Sequence, residues 1–339
     1  MVRLADTRYN LAMEAIFSLG HNTKAFVPAA FLKGPHAQTI WAARVKPAPR
    51  LRLRRERHDL PDGDYLSLLW GQDNGGPLVL VLHGLTGDAN SPYVRRLVEQ
   101  LERAGLTPVV MEARGCGGRN TLMRFQHAGA TEDLEDVVRV IRERHPERRL
   151  AAVGYSLGGS ILLNTLGRSD CELDAACAVS VPFELAACAD ALEQGFARVY
   201  QANLLQGLKR MMARKLQHAK TPPISLSELR RLRSLREFDD RVTAPLHGFS
   251  GSADYYARAS CRPHLATISR PTLLIQAEDD PFVPRQAIPA PAELSPSTML
   301  YTSQAGGHVG FVAQDDVRWL EQQVIGFIQP RLAHAACNS

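Results

Sequence analysis

The stretch that decides the fold is Leu150-Ala-Ala-Val-Gly-Tyr-Ser-Leu-Gly-Gly159. Its apolar start predicts a buried strand and its end opens a helix, so the turn between them must be very tight. Residues two before and two after Ser156 cannot carry bulky side chains in such a turn, and Gly154 and Gly158 meet this requirement. The turn would expose the Ser156 hydroxyl at the C-terminal edge of a sheet, beside a helix N-terminus whose dipole favours negative charge. This context favours a nucleophilic serine over a structural glycine turn.

The rest of the chain alternates strand and helix patterns around this turn. Short apolar runs predict buried strands at 77–82, 107–111, 149–155, 174–182, 271–276 and 298–301. Helical periodicity predicts helices at 93–104, 131–144 and 157–167. Apolar and polar residues that alternate around a Pro-Asp-Gly turn predict an antiparallel hairpin from 51–58 and 65–70. These elements indicate an α/β-hydrolase fold, with a mainly parallel sheet flanked by helices.

The spacing of the strands divides the chain into four predicted parts. Residues 1–49 form an N-terminal arm that packs on the core, and residues 50–182 form the first part of the core. Almost ninety residues separate the strand that ends near 182 from the next one, which is too long for a simple connection. We therefore expect a helical cap or lid insertion at 183–270, with the rest of the core at 271–339.

Composition excludes several classes of protein. Of 339 residues, 45% are hydrophobic and 22% are charged, as in globular proteins and unlike disordered ones. The net charge of +5 comes without a basic tail or a DNA-binding motif, so we expect no nucleic-acid partner. Six cysteines without metal-ligand spacing predict reduced thiols and no metal site. Without a signal peptide or a long apolar segment, a cytoplasmic location is expected, whereas the oligomeric state is not indicated.

A nucleophilic serine needs a base, and the base needs an orienting acid, in the chain order serine, acid, histidine in this fold. Gln304-Ala-Gly-Gly-His308 follows the last predicted strand, so His308 is the candidate base. The candidate acid lies after the penultimate strand, where three carboxylates compete. Asp280 precedes a Pro-x-Val-Pro exit and is the leading candidate, Asp279 is the alternative, and Glu278 fits a loop or strand end.

Acyl transfer also needs N–H donors for the oxyanion of the tetrahedral intermediate. The residue after the nucleophile, Leu157, supplies one backbone N–H, and Leu85 in the His-Gly-Leu-Thr-Gly turn after the first parallel strand supplies the second. His83 has the wrong chain position for a catalytic base and is expected to hold this turn through hydrogen bonds. The residues expected to contact substrate here are His83, Gly84 and Tyr155.

Five segments outside the core pattern carry a family resemblance. They are Phe31-Leu-Lys-Gly-Pro-His-Ala-Gln-Thr-Ile40, His83-Gly-Leu-Thr-Gly-Asp-Ala-Asn-Ser-Pro-Tyr93, Arg114-Gly-Cys-Gly-Gly118, Phe238-Asp-Asp-Arg-Val-Thr-Ala-Pro-Leu-His-Gly-Phe249 and Asp254-Tyr-Tyr256. With them, the chain resembles the YheT-like branch of the α/β hydrolases, relatives of the abhydrolase esterases and phospholipases. The last two segments are the specific ones, because generic α/β hydrolases lack them.

The resemblance implies a triad of Ser156, Asp280 and His308 and a carboxylic-ester hydrolase activity on short- to medium-chain acyl esters, without a cofactor. Relatives also include acyltransferases that make fatty acid ethyl esters. Acyl transfer to an alcohol, or thioesterase or lipase activity on the same triad, therefore stays open beside ester hydrolysis. A non-catalytic binding protein is the alternative from another class.

The predicted insertion contains an amphipathic helix at 201–216. Its apolar residues fit a helix that packs on the core. A second hypothesis is a basic lid helix that touches lipid at the periphery through Lys209, Arg210 and Lys215. In both cases a small acyl ester is the expected substrate.

Overall fold

The computed structural model describes residues 25–117, 120–217 and 222–333. Three parts of the predictions lie outside the described residues: residues 1–24 of the arm, Gly118 at the end of the third segment of the family resemblance, and Cys337. The strands, helices and contacts of the structure all belong to these described ranges.

Eight strands form one sheet. They are β1 (Arg54–Asp59), β2 (Tyr65–Trp70), β3 (Leu78–Leu82), β4 (Thr107–Glu112), β5 (Leu150–Tyr155), β6 (Ala175–Val179), β7 (Thr272–Ala277) and β8 (Thr298–Ser303). The strand order is β1-β2-β4-β3-β5-β6-β7-β8, and only the pairings of β2 with β1 and β4 are antiparallel. The predicted hairpin and the predicted parallel strands are thus confirmed.

Helices cover this sheet and fill the long gap between β6 and β7. In chain order they are α1 (Pro35–Arg44), α2 (Pro92–Arg103), α3 (Glu132–Arg144), α4 (Leu157–Arg168), α5 (Leu185–Leu192), α6 (Ala197–Leu216), α7 (Leu226–Arg231), α8 (Leu235–Phe238), α9 (Ala244–Leu246), α10 (Ser252–Ala259) and α11 (Trp319–Ala333). A π-helical turn, Asp239–Thr243, joins α8 to α9. We call the segment from α5 to α10 the insertion; its assignment as a cap over the core stays a prediction.

The central strands are buried on both faces because helices lie on each side of the sheet. All residues of β3 and β5 are buried, which explains their continuous apolar sequence. Leu80 and Leu162 belong to the core cluster on one face. Val81 and Leu97 belong to the cluster on the other. In the described residues, no helix is both long and apolar enough to cross a bilayer.

Candidate active site

The turn between β5 and α4 takes the sharp form that its glycines predict. Ser156 has φ 51° and ψ −119°, a backbone conformation that L-residues rarely adopt and that occurs at functional sites. A Cβ atom on Gly154 would lie 2.5 Å from the carbonyl oxygen of Gly158. One on Gly158 would lie 2.6 Å from the carbonyl oxygen of Leu82, in the neighbouring strand. Only glycine at both positions lets the turn fold this tightly.

Three side chains that lie far apart in sequence meet at this turn. His308 Nε2 lies 3.0 Å from Ser156 Oγ, and His308 Nδ1 lies 2.8 Å from Asp280 Oδ2. The Asp280 carboxylate is buried and also accepts hydrogen bonds from Phe282 N–H at 2.8 Å and from Gln276 Nε2 at 3.1 Å. The imidazole of His308 thus has a carboxylate acceptor on one side and the Ser156 hydroxyl on the other. In this arrangement His308 can take the proton of the serine.

The competing carboxylates have other partners. Asp279 Oδ1 accepts the Gly307 N–H at 2.9 Å, and burial raises the pKa of Asp279. Glu278 forms an ion pair with Arg285 at 3.0 Å. Of the three candidates, the structure brings Asp280 to the imidazole, whereas Asp279 braces the loop that carries His308.

Two contacts that the sequence analysis missed fix the position of His308. The Phe282 ring stacks flat on the imidazole, with ring centroids 3.9 Å apart and an interplanar angle of 2°. Thr39 Oγ1 accepts the His308 N–H at 2.9 Å and donates to the Pro35 carbonyl at 2.8 Å. The next backbone N–H, of Val309, donates to Ser180 Oγ at 2.9 Å.

The residue before Thr39 strengthens the same attachment. The Gln38 side chain is fully buried, accepts the Val312 N–H at 2.7 Å and donates to the Val312 carbonyl at 3.1 Å. Its amide also donates to the Leu32 carbonyl at 2.9 Å. The Gln-Thr pair in the first segment of the family resemblance therefore binds α1 to the His308 loop. That motif was the signal in the sequence, but its role was not predicted.

The two predicted oxyanion donors belong to two turns that come together at Ser156. Leu157 is the first residue of α4 and Leu85 follows Gly84, whose Cα approaches Ser156 so closely that a Cβ on it would be 3.2 Å from Ser156 Cβ. Neither the Leu85 nor the Leu157 N–H has a hydrogen-bond acceptor within residues 25–117, 120–217 and 222–333. Both N–H groups are therefore free to bind an oxyanion.

His83 is buried and, as expected, holds the turn at Gly84 through hydrogen bonds. Its Nε2 accepts the Ala113 N–H at 3.1 Å, so the neutral ring donates from Nδ1 to the Gly84 carbonyl at 2.8 Å. Burial lowers the pKa of His83, which favours this neutral form. The Gly84 N–H donates to the Tyr93 hydroxyl at 2.8 Å.

A cavity of about 810 Å³ opens at Ser156 and His308 and is lined by side chains of both the core and the insertion. Gly84 lines it, whereas His83 and Tyr155 do not. Both are buried behind the wall, and the Tyr155 ring packs against Tyr93 at 4.7 Å. The expectation that these two side chains contact substrate is thereby corrected: one supports the Gly84 turn and the other belongs to the core.

Lys209 and Lys215, two of the three cations in the hypothesis of a basic lid helix, donate hydrogen bonds to backbone carbonyls. Lys209 Nζ donates to the Arg230 carbonyl at 3.0 Å. Lys215 Nζ donates to the Leu122 carbonyl at 2.8 Å, and burial lowers its pKa to about 8. Of the hypothesised set, only Arg210 keeps its guanidinium on an exposed surface, where it bonds to the Gln206 carbonyl of its own helix. Backbone carbonyls of other segments therefore hold two of the three amino or guanidinium groups, and contact of this helix with lipid stays a hypothesis.

Comparison with known proteins agrees with this geometry. The family model for the alpha/beta hydrolase fold matches residues 77–315. The chain belongs to the α/β-hydrolase family. YheT of Escherichia coli, whose name classes it provisionally as an esterase, is 39% identical over 92% of this chain and 95% of its own length. Phospholipase ABHD3 of Mus musculus is 31% identical over 86% of this chain and 74% of its own length.

Solved structures show the same fold. The Pyrococcus furiosus esterase Pf2001 superposes with a TM-score of 0.57 at 19% sequence identity, over 92% of this chain and 100% of its own. The family match and the curated relatives, among them an esterase and a phospholipase, make this chain an enzyme of the esterase and lipase type. The described residues contain no cluster of three or more His, Cys, Asp or Glu side chains that could hold a metal ion.

Proposed function

We propose that this α/β hydrolase cleaves carboxylic esters of short to medium acyl chains through an acyl-serine intermediate, with Ser156, His308 and Asp280 as catalytic triad. The observation that carries the proposal is the continuous line of hydrogen bonds from Ser156 Oγ through the imidazole to the buried Asp280 carboxylate. The same three residue types, in this order, catalyse acyl transfer in many enzymes of this fold.

In the proposed mechanism, Ser156 Oγ attacks the ester carbonyl and His308 Nε2 takes its proton. Asp280 accepts from Nδ1–H, fixes the tautomer and stabilises the imidazolium that forms. The N–H groups of Leu85 and Leu157 bind the oxyanion, where each donor is typically worth about 3 kcal/mol. The alcohol leaves with the proton from His308, and a water molecule then repeats the cycle on the acyl-serine.

The cavity supports an acyl chain as the bound group. Its volume of about 810 Å³ lies in the range of pockets for small molecules, and most of its lining surface is apolar. The apolar residues that line it include Leu157 and Phe282 of the core and Leu185, Leu204 and Leu208 of the insertion. A set of p-nitrophenyl esters of increasing chain length would measure the preferred acyl length.

Labelling with a fluorophosphonate probe tests the proposal directly. Wild type is expected to be labelled, and Ser156→Ala is expected to lose both labelling and ester hydrolysis. Ser160→Ala is the matched control, because Ser160 lies on the same helix and bonds to the Pro182 carbonyl instead of His308. Labelling that persists in Ser156→Ala would refute the assignment. Product analysis with ethanol present would report any acyl transfer to an alcohol, which uses the same groups.

Contact with a lipid surface, if it accompanies this activity, would use apolar rather than basic side chains of α6. Val199 and Ile40 line the cavity and are 56% and 40% exposed. Phe196 is 49% exposed and packs on His36 of α1 at 4.6 Å, so α1 and α6 meet at the cavity mouth. Arg44 of α1 is exposed and also lines the cavity, where its charge would complement an anionic lipid.

Vesicle sedimentation would test this contact. The double variant Phe196→Ser/Val199→Ser is expected to bind less to anionic vesicles than wild type. Leu226→Ser is the matched control, since Leu226 is 42% exposed on α7 and does not line the cavity. Equal sedimentation of the double variant and wild type would remove lipid contact from the proposal.

A further inference from the structure

The insertion places a carboxyl group on the wall of a cavity whose lining surface is mainly apolar. Asp239 opens the π-helical turn between α8 and α9, a local widening that often occurs at functional sites. Asp239 Oδ1 accepts the Thr243 hydroxyl at 2.7 Å, and Oδ2 accepts the Tyr256 hydroxyl at 2.7 Å. All three residues line the same cavity as Ser156 and His308. We call this trio the Asp239 group.

The Asp239 carboxyl has capacity for a further hydrogen-bond donor. A carboxylate can accept about four hydrogen bonds, and the two named above leave lone pairs free. No Lys, Arg or His of the described ranges forms an ion pair with Asp239. Burial raises its pKa to about 6, although the residue keeps some accessible surface because it borders the cavity. An under-occupied acceptor at this depth is suited to a donor on a ligand.

The neighbouring charges favour a neutral donor over an ammonium group. The Arg236 guanidinium lies 5.2 Å from the centroid of the Tyr256 ring and is paired with Asp190. Arg236 thus already lies over the ring of Tyr256, a member of the Asp239 group, and it would repel a cationic ligand there.

We propose that the Asp239 carboxylate, oriented by Thr243 and Tyr256, accepts a hydrogen bond from a hydroxyl group of the substrate and makes the enzyme prefer hydroxyl-bearing esters. This inference rests on the proposed function, because the ester must be cleaved at Ser156 while its hydroxyl binds the Asp239 group. A site built to pair with a hydroxyl discriminates strongly against an analogue that lacks it, since its own polar group then stays unpaired. The hydroxyl can belong to the alcohol part or to the acyl part of the ester.

Two matched pairs of esters test the inference and separate these sources. Glycerol monohexanoate is compared with propyl hexanoate, which lacks hydroxyls in the alcohol part. Methyl ω-hydroxyhexanoate is compared with methyl hexanoate, which lacks the hydroxyl in the acyl part. Wild type is expected to favour the hydroxylated member of one pair in kcat/KM by about 10-fold or more, as for a hydrogen bond to a charged group.

Variants of Asp239 should lower the ratio of kcat/KM between the hydroxylated and the hydroxyl-free ester to different extents. Asp239→Leu is expected to abolish the preference, and Asp239→Asn to reduce it several-fold, since a neutral acceptor binds a hydroxyl more weakly. Asp240→Asn is the matched control: it removes a charge one residue away, from a carboxylate that accepts the Ser252 N–H and does not line the cavity. It should keep the wild-type ratio.

Equal kcat/KM values of wild type for the two esters of each pair would overturn the inference. It would also be overturned if both Asp239 variants kept the wild-type ratio of kcat/KM between the hydroxylated and the hydroxyl-free ester. Should Asp239→Leu fail to fold, an unchanged ratio in Asp239→Asn alone would overturn it. Fluorophosphonate labelling of wild type is read separately. Labelled enzyme without hydroxyl preference contradicts only the Asp239 inference, whereas unlabelled enzyme contradicts the proposed function itself.

Discussion

The hydroxyl of Thr39 accepts the backbone N–H of His308 at 2.9 Å, although 269 positions separate the two residues in the chain. The same hydroxyl donates to Pro35, so it joins the first turn of α1 to the loop that holds the imidazole. Gly307, one residue earlier, has φ 60° and lies so close to the Pro35 carbonyl that no side chain fits there. Part of the N-terminal arm therefore acts as a support for the candidate active site.

Replacing Thr39 by valine should lower activity. The variant keeps the shape of the side chain but leaves the His308 N–H without its acceptor, and an unpaired buried donor costs about 1–3 kcal/mol. We expect kcat/KM for a p-nitrophenyl ester to fall about 10-fold or more. Thr39→Ser keeps the hydroxyl and should retain most of the activity. Equal rates for the valine and serine variants would show that the hydroxyl does not matter.

Two neighbouring carboxylates should behave very differently on substitution. Asp280→Asn keeps the geometry but removes the charge that accepts His308 Nδ1–H, and the corresponding change in a serine protease lowers kcat by about 10⁴-fold. Asp279→Asn leaves an amide oxygen that can still accept the Gly307 N–H, so only a small loss is expected. Steady-state hydrolysis by both variants checks this. A larger loss in Asp279→Asn would reverse the assignment of the acid.

Most of the fold was predictable because its signals are local. The glycines around Ser156 allow one turn geometry, and continuous apolar runs between short connections leave few alternatives to a parallel sheet. The burial of Tyr155 in the core was also predictable, although the sequence analysis wrongly expected its side chain to contact substrate. Side chains alternate between the two faces of a strand, so Tyr155 shares the core face of β5 with Val153 and Ala151.

The support for His308 was not predictable in the same way. The stacking of Phe282 and the hydrogen bond of Thr39 join elements that only the complete fold brings together. The Pro-x-Val-Pro exit favoured Asp280 over Asp279, but the alternative stayed open because only the folded loop sets the directions of the two side chains. The contacts of Lys209 and Lys215 were unpredictable for a similar reason, since backbone carbonyls of segments far along the chain bind both amino groups.

The turn at Ser156 should tolerate no side chain at Gly158. In Gly158→Ala the new methyl group would lie 2.6 Å from the carbonyl oxygens of Leu82 and His83, so the oxyanion turn or the serine would have to move. We expect a loss of both fluorophosphonate labelling and thermal stability. Gly34→Ala is the matched control, because a Cβ there has no atom within 4 Å. Wild-type labelling in Gly158→Ala would contradict the tight geometry of this turn.

The buried Asp239 carboxyl should make the stability of the protein depend on pH. Its pKa is 3.8 as a reference and about 6 in the fold, where burial disfavours the charged form. The folded state therefore binds more protons than the unfolded state between these values, so this group's contribution is complete below pH 3.8 and is lost as pH rises through about 6. Two pKa units correspond to about 3 kcal/mol.

Asp239→Asn cannot titrate, and its free energy of unfolding relative to wild type should rise by about this amount between about pH 4 and about pH 7. Urea unfolding of both proteins at several pH values measures the difference. Parallel stability curves would show that Asp239 is ionised in the fold as readily as in the unfolded chain, and that its surroundings do not disfavour the charge.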